Sequence, residues 1–298
     1  MVALPAWVGG HRGFGLGTTA VIAVILAVGY QVTYGFSGQL SVAHAPLQGI
    51  GAYAIANLTT TAGWSFWAAL PVAVLVAAAF GAVVGLPGLR ARGDVLALAT
   101  LGAGEILQNL YLNTERFTKG SDGIAGIPPV SVLGHAVDHR GLYLVALGLG
   151  GVTLAAVLAL RDSPLGRAWR AVRDDEVAAS AYGIRPGPLR LLAFAVGAGI
   201  AGVAGALYAV QDQFVSSVSF GLRETVIVIL VVLVAGEARI GRTVAAAVVA
   251  VVLVDRLTPY GQVSEGITGL LILAVVALRL GRPRPLGAGP ARLAEAAA

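Results

Sequence analysis

Residues Asp162–Arg190 read DSPLGRAWRAVRDDEVAASAYGIRPGPLR, a charged stretch between two long apolar runs in a chain that is otherwise hydrophobic nearly end to end. Six arginines lie in or beside it: Arg161, Arg167, Arg170, Arg173, Arg185 and Arg190. Short loops rich in Lys and Arg stay on the cytoplasmic side of a membrane, so the stretch reads as a cytoplasmic loop. Charge this dense in so apolar a chain points to a soluble partner. Ser163 followed by Pro164 marks a helix start, and Gly183 a stop. Between them Ala168, Ala171 and Val172 share a face, and Asp174, Asp175 and Glu176 form an acidic cluster. The expectation is one short amphipathic helix that lies on the membrane surface or enters a partner's groove. The acidic cluster argues against simple adhesion to anionic lipid.

The surrounding composition sets the class. Of 298 residues, 57% are hydrophobic and 12% charged, and the mean hydropathy is +0.83, whereas soluble domains carry roughly 25% charged residues. A soluble globule is excluded, and a single polytopic membrane domain is implied, since each helical span needs about 20 apolar residues. The 41 glycines predict helices held together through small residues at their contacts. The net charge of +5 is nearly all arginine, Lys119 being the only lysine. It reads as topology and attraction to lipid headgroups. No nucleic acid partner is expected, because no basic patch is interleaved with aromatics. With no cysteine, disulfides, thiolate catalysis and Cys-based metal sites are excluded. The N-terminal run shows no small-residue cleavage site and reads as the lead into a retained first span.

Apolar runs fall at 14–34, 44–60, 66–88, 94–113, 141–160, 188–210, 224–236, 242–257 and 265–280. Arg90 and Arg92, the Arg161–Arg190 group, Arg239 and Arg242, and Arg279, Arg282 and Arg284 follow alternate runs, so all fall on one side if each run crosses once. The fold expected is all-α, a polytopic transmembrane helical bundle of eight to nine spans, with the N-terminus outside and the C-terminus inside for nine crossings. The transmembrane domain covers 1–282, with its cytoplasmic segment at about 162–187, and 283–298 is a disordered tail. The seventh and eighth runs are short and flank GEARIG (Gly236–Gly241), as half-helices meeting inside the protein would be. Between the first two runs, YGFSGQLSVAHAPLQG (Tyr34–Gly49) is polar and contains Gly and Pro, which predicts a broken helix at membrane depth.

That break holds Ser37, Gln39, Ser41 and His44. Polar side chains and freed backbone at a helix break mark a solute path. The plainer reading is that Ser and Gln cap helix ends and His44 packs. In TLGAGEILQNLYLN (Thr100–Asn113), Glu105 and Asn109 share a helix face, with Gln108 beside them. An ionisable residue inside a span costs roughly 2.5–3.5 kcal/mol, so Glu105 should face water or protein, as a pathway residue or as a structural carboxylate bonded to a neighbouring helix. The loop at 113–129 follows on the outside, rich in Gly and turn formers. No phosphate loop, H-E-x-x-H or G-x-S-x-G motif occurs, and His135 and His139 sit alone in an outer loop. No catalytic residue, metal site or cofactor is expected.

Three stretches carry a resemblance. GYQVTYGFSGQLSVAHAPLQGIGAY (Gly29–Tyr53), GDVLALATLGAGEILQN with GSDGIAGIP (Gly93–Pro128), and SPLGRAWRAVRDDEVAASAYGI followed by RLLAFAVGAGIAGVAGALYA (Ser163–Ala209) closely resemble the permease subunits of branched-chain amino acid ABC importers, of the LivM-like type. The resemblance implies a cell-membrane transport subunit with no enzymatic activity of its own, paired with a second permease. Two ATP-binding subunits would sit beneath, and an external solute-binding protein would deliver the substrate. It also implies that the segment Arg167–Ala181 is the coupling helix, with Arg167, Arg170, Arg173, Asp174, Asp175 and Glu176 toward the ATPase. Permeases for urea or short-chain amides look alike at these motifs and are the alternative. An ion-coupled carrier or channel is a third reading, with Glu105 and Asp255 as the conspicuous carboxylates inside runs. The chain departs from the family at AGEARIGRT (Ala235–Thr243), where a Gly-rich turn of the form G-G-x-G-T/S-x-x-G-P is usual. Only Gly236 survives there, which predicts an altered turn.

Overall fold

The computed structural model describes residues 11–91, 93–132, 134–236 and 239–257. By its own contacts the chain divides into two compact units, residues 1–253 and 254–298. Of the second, only residues 254–257 are described, so the expected tail at 283–298 and the run at 265–280 lie outside the described residues.

Within the described residues the apolar runs become helices, because only a helix satisfies its backbone within the segment when water is absent. In chain order they are α1 (His11–Tyr30), continued by a π-helical turn (Gln31–Phe36), α2 (His44–Thr60), α3 (Phe66–Gly85), α4 (Gly93–Asn113), α5 (Glu115–Thr118), α6 (His139–Asp162), α7 (Pro164–Asp174), α8 (Glu176–Ala181), α9 (Pro186–Asp212), α10 (Leu222–Ala235) and α11 (Ile240–Leu257). Among the described residues, six stretches are long and apolar enough to cross a membrane: Gly13–Phe36, Phe66–Leu89, Gly93–Asn113, His139–Asp162, Pro186–Asp212 and Ser217–Ala235. The expectation of eight to nine spans is thus matched for six by length and composition. The seventh run forms α10, 14 residues long, and reaches crossing length only when counted with the short 3-10 segment Ser217–Phe220 that precedes it. Helix α2 has 17 residues, about 25 Å of rise, and is the most enclosed element near the break.

Helix α9 is the axis on which α1, α2 and α3 pack. Its stripe GAGIAGVAGALYA explains how. A Cβ on Gly202 would stand 2.7 Å from the Ala77 Cβ, and one on Gly205 would strike the Gln48 carbonyl. Backbones this close need glycine, as the composition predicted. Gly205→Ala is therefore expected to destabilise the protein by about 1–3 kcal/mol, despite alanine's better helix propensity. Gly151→Ala, on α6 with open space around it, is expected to be neutral or stabilising. Thermal unfolding of the two variants in detergent checks the contrast in sign.

The loops sort to two ends. At one end strand β1 (Ile124–Ala125) pairs antiparallel with β4 (Phe214–Val215), and β2 (Ser131–Val132) with β3 (His135–Ala136). The Asn57 amide donates to Phe117 O at 2.7 Å, Trp67 Nε1 to Ser131 O at 2.9 Å, and Gln211 to Thr19 at 2.8 Å. These short strands qualify the all-α expectation. They form where loop backbone needs partners, and they join the 114–140 and 211–223 loops that the charge pattern places together. At the other end, α7 and α8 meet the π-helical turn and the start of α9.

The charged stretch is two helices, not one. Ser163 and Pro164 start α7 as read, with the Ser163 hydroxyl accepting from Gly166 N. At Asp175 the backbone is extended (φ −154°), and its carboxylate accepts from the N–H groups of Val177 and Ala178, so it ends α7 and caps α8. The buried face of α7 is Gly166, Trp169 and Val172. Of the expected face only Val172 is fully buried, because Trp169 rather than the small alanines supplies the apolar area that anchors the helix.

Candidate functional site

The break between α1 and α2 lies inside the protein. Ser37, Gln39, Ser41 and His44 are all at most 4% exposed. The Ser37 hydroxyl donates to Thr33 O at 2.6 Å, and Gln39 Nε2 donates to the Ser37 hydroxyl at 2.8 Å and to Arg190 O at 3.0 Å. Ser41 Oγ lies 3.4 Å from His44 Nδ1, and the His44 ring meets Tyr30 edge-on at 4.9 Å. Backbone N–H groups freed by the break find side chains on other helices. Val42 N donates to Thr100 of α4 at 3.0 Å, and Ala45 N to Thr225 of α10 at 3.4 Å. Thr100 stands seven residues into α4, about 10 Å along the helix, so the irregular backbone is enclosed between helices rather than placed at their ends. Gly38 takes φ +74°, and a Cβ there would stand 2.7 Å from Arg173 Cγ. Glycine is thus required both by conformation and by the arginine stem pressed against it. His44 Nε2 and Gln39 Oε1 are buried and unpartnered.

Glu105 and Asn109 do not join this cluster. Helix α4 turns Thr100, Gly104, Leu107 and Tyr111 inward and leaves Glu105, Ile106, Asn109 and Leu110 exposed. Asn109 donates to Glu105 O at 2.9 Å and Asn113 to Asn109 O at 2.8 Å, so the amides fold back on their own helix. The open face is a polar strip from mid-span toward the strand-bearing end, flanked by Leu98 (68% exposed) and Ile106 (64%).

Sequence reasoning missed a second inward group. Tyr53 and Tyr111 lie 4.8 Å apart, Phe220 meets Tyr53 at 6.4 Å and Tyr208 at 5.2 Å, and Tyr111 OH donates to Pro46 O at 2.6 Å. Tyr53 OH, Gln108 Nε2 and Ser217 Oγ are buried there without partners. It also missed Gln31, Thr33, Thr100, Thr225 and Thr243, all fully buried. Single threonines and glutamines inside apolar runs carry no pattern of their own; only a neighbouring helix makes them donors or acceptors.

On the charged segment, Arg167 is exposed and donates to Asp162 O, and Arg170 donates to Arg161 O, both at 2.7 Å. Arg173 bonds Asp174 at 2.8 Å and reaches Gly35 O in the π-helical turn. Glu176 pairs with Arg190, both side chains under one-fifth exposed. Asp174 and Asp175 remain exposed, alongside Val177 (78%) and Tyr182 (88%). This apolar pair was not singled out in the sequence, although Tyr182 stands beside the stop residue Gly183. No group of three or more metal-ligating side chains occurs among the described residues.

An apolar multi-helix bundle with six stretches of crossing length, a buried helix break and a charged two-helix segment at one end define a polytopic helical membrane protein. Residues 14–278 match the family described as branched-chain amino acid transport system / permease component, and the chain belongs to that family. It is 35% identical to the high-affinity branched-chain amino acid transport system permease protein LivM of Escherichia coli K12, over 88% of this chain and 67% of that protein. It is 31% identical to LivH of the same strain, over 66% of this chain and 68% of that protein. A shorter likeness, 32% over 49% of this chain and 42% of that protein, is to the autoinducer 2 import system permease protein LsrC of an Enterobacter strain. No solved structure matches.

Proposed function

We propose that this chain is a membrane-spanning permease subunit of an ATP-driven importer of branched-chain amino acids, forming half of the translocation pathway. The reading rests on identity to LivM along 88% of the chain. Likeness to both LivM and LivH supports pairing with a second, related permease. ATP hydrolysis falls to two partner subunits that meet α7 and α8, and a solute-binding protein delivers the amino acid at the strand-bearing end. The chain sits in the cytoplasmic membrane as one permease domain over 1–282, crossing eight to nine times with its C-terminus inside. The arginine-rich end is cytoplasmic by the positive-inside rule. The solute path includes the break residues Ser37, Gln39, Ser41 and His44 and the open α4 strip with Glu105 and Asn109.

Purification of the tagged chain from its native membrane, reconstitution with the subunits that accompany it, and uptake of leucine, isoleucine and valine test this. Two ATPases, a second permease and ATP-dependent uptake are the expected result. The chain alone, transporting in an ion gradient without ATP, would refute it.

A further inference from the structure

The π-helical turn Gln31–Phe36 is tied to three separate elements within six residues. Gln31 Nε2 donates to Gly236 O at 2.8 Å and to Thr243 Oγ1 at 2.9 Å, holding the α10–α11 turn. The Thr33 hydroxyl donates to Ala193 O of α9 at 3.3 Å. The Gly35 carbonyl accepts from Arg173 of α7. Between these polar ties, Val32 and Phe36 enter a small core of their own with Trp169 of α7, Val157 of α6, Ala193 of α9 and Ile240 of α11, apart from the main core of the bundle. Trp169 Nε1 donates to Leu189 O at 2.7 Å and fixes the indole within it. Gly236, at φ +89°, turns its carbonyl to Gln31. It is the glycine that survives in the diverged stretch Ala235–Thr243.

A π-turn is a widened turn that α-helix flanks on one side here, and such turns are rare and frequent at functional positions. Two buried amide oxygens beside it, Gln31 Oε1 and Gln39 Oε1, accept no hydrogen bond in this arrangement. We infer that the turn is a transmission joint: displacement of α7 pulls on Gly35 through Arg173 and on Val32 and Phe36 through Trp169, the turn changes register, and Gln31 carries the change to the α10–α11 turn. Gln31 and Thr243 are positioning residues, touching neither solute nor ATP. The inference rests on the reading of α7 as the element that meets the ATPase. It goes beyond that reading in naming the internal route and its far end.

The test uses the complete complex in proteoliposomes with its solute-binding protein, measuring uptake and ATP hydrolysis in the same preparation. Gln31→Leu, which cuts the ties to Gly236 and Thr243, and Thr243→Val, which cuts the second of them, are each expected to lower uptake per ATP by about tenfold while hydrolysis stays within about twofold. The double variant should be little worse than Gln31→Leu alone, since that change already removes the bond between Gln31 and Thr243. Thr243→Ser keeps the hydroxyl and should retain wild-type coupling. Unchanged uptake per ATP in both single variants, or losses that multiply in the double variant, would overturn the joint. So would failure of both to assemble while Thr243→Ser assembles, because the tie would then serve folding alone. A wild-type complex whose uptake needs no ATP would instead remove the function on which the inference rests.

Discussion

Replacing Val177 and Tyr182 together by aspartate is expected to lower ATP-driven uptake at least about 30-fold, the effect of losing a contact worth about 2 kcal/mol or more. These two side chains are 78% and 88% exposed, Val177 on α8 and Tyr182 immediately after it, and the start of that six-residue helix is fixed by the Asp175 cap. Both stand in one segment with the exposed charges of Asp174 and Asp175, and an exposed aromatic surrounded by polar groups is what a protein groove takes up. The variant should insert and fold, because neither residue is buried. The readout is retention of the ATPase subunits on the purified permease. Full retention with normal uptake would place the contact elsewhere on α7. Arg173→Glu with Asp175→Arg should also uncouple hydrolysis from uptake. It is the poorer discriminator, since it breaks the Gly35 tie and the α8 cap at once.

Glu105→Leu should move two measurements in opposite directions. A carboxylate near the middle of a span costs roughly 2.5–3.5 kcal/mol on insertion unless water or protein covers it. Within this chain Glu105 is exposed, so the cover must come from a partner or from the solute path. Removing the charge should therefore ease membrane insertion, seen as equal or higher yield. It should lower uptake by about tenfold or more if the α4 strip lines the path between permeases, a loss of about 1.4 kcal/mol in the transport step. Ile106→Leu on the same face is the control. Higher yield with unchanged uptake would mean that Glu105 faces a region with no part in transport.

How much of this was legible beforehand differs by element. The second run was placed at 44–60, and α2 is His44–Thr60. The break before it was legible because Ser37, Gln39 and Pro46 interrupt an apolar stretch. The Ser163 and Pro164 start of α7 was legible because capping is local chemistry. The split at Asp175 was not, because an aspartate inside an acidic run looks the same whether it is displayed or caps the next helix. The seventh run read as short, and α10 has 14 residues; the 3-10 segment Ser217–Phe220 before it contains two serines and no helical period, so it was not legible as part of the run.

The sequence by itself determined that this chain is a membrane protein, where its helices run and which end carries the positive charge. Each of these follows from transfer free energies of residues taken one at a time, or a few along a helix. Only the tertiary structure decided which polar groups meet: that Gln31 reaches Thr243 across 212 positions, that Trp169 rather than the alanines anchors α7, and that Glu105 turns away from the break while Thr100 turns into it. These depend on how α9's glycines let neighbouring helices approach and rotate, a packing property of several helices at once that no single run contains.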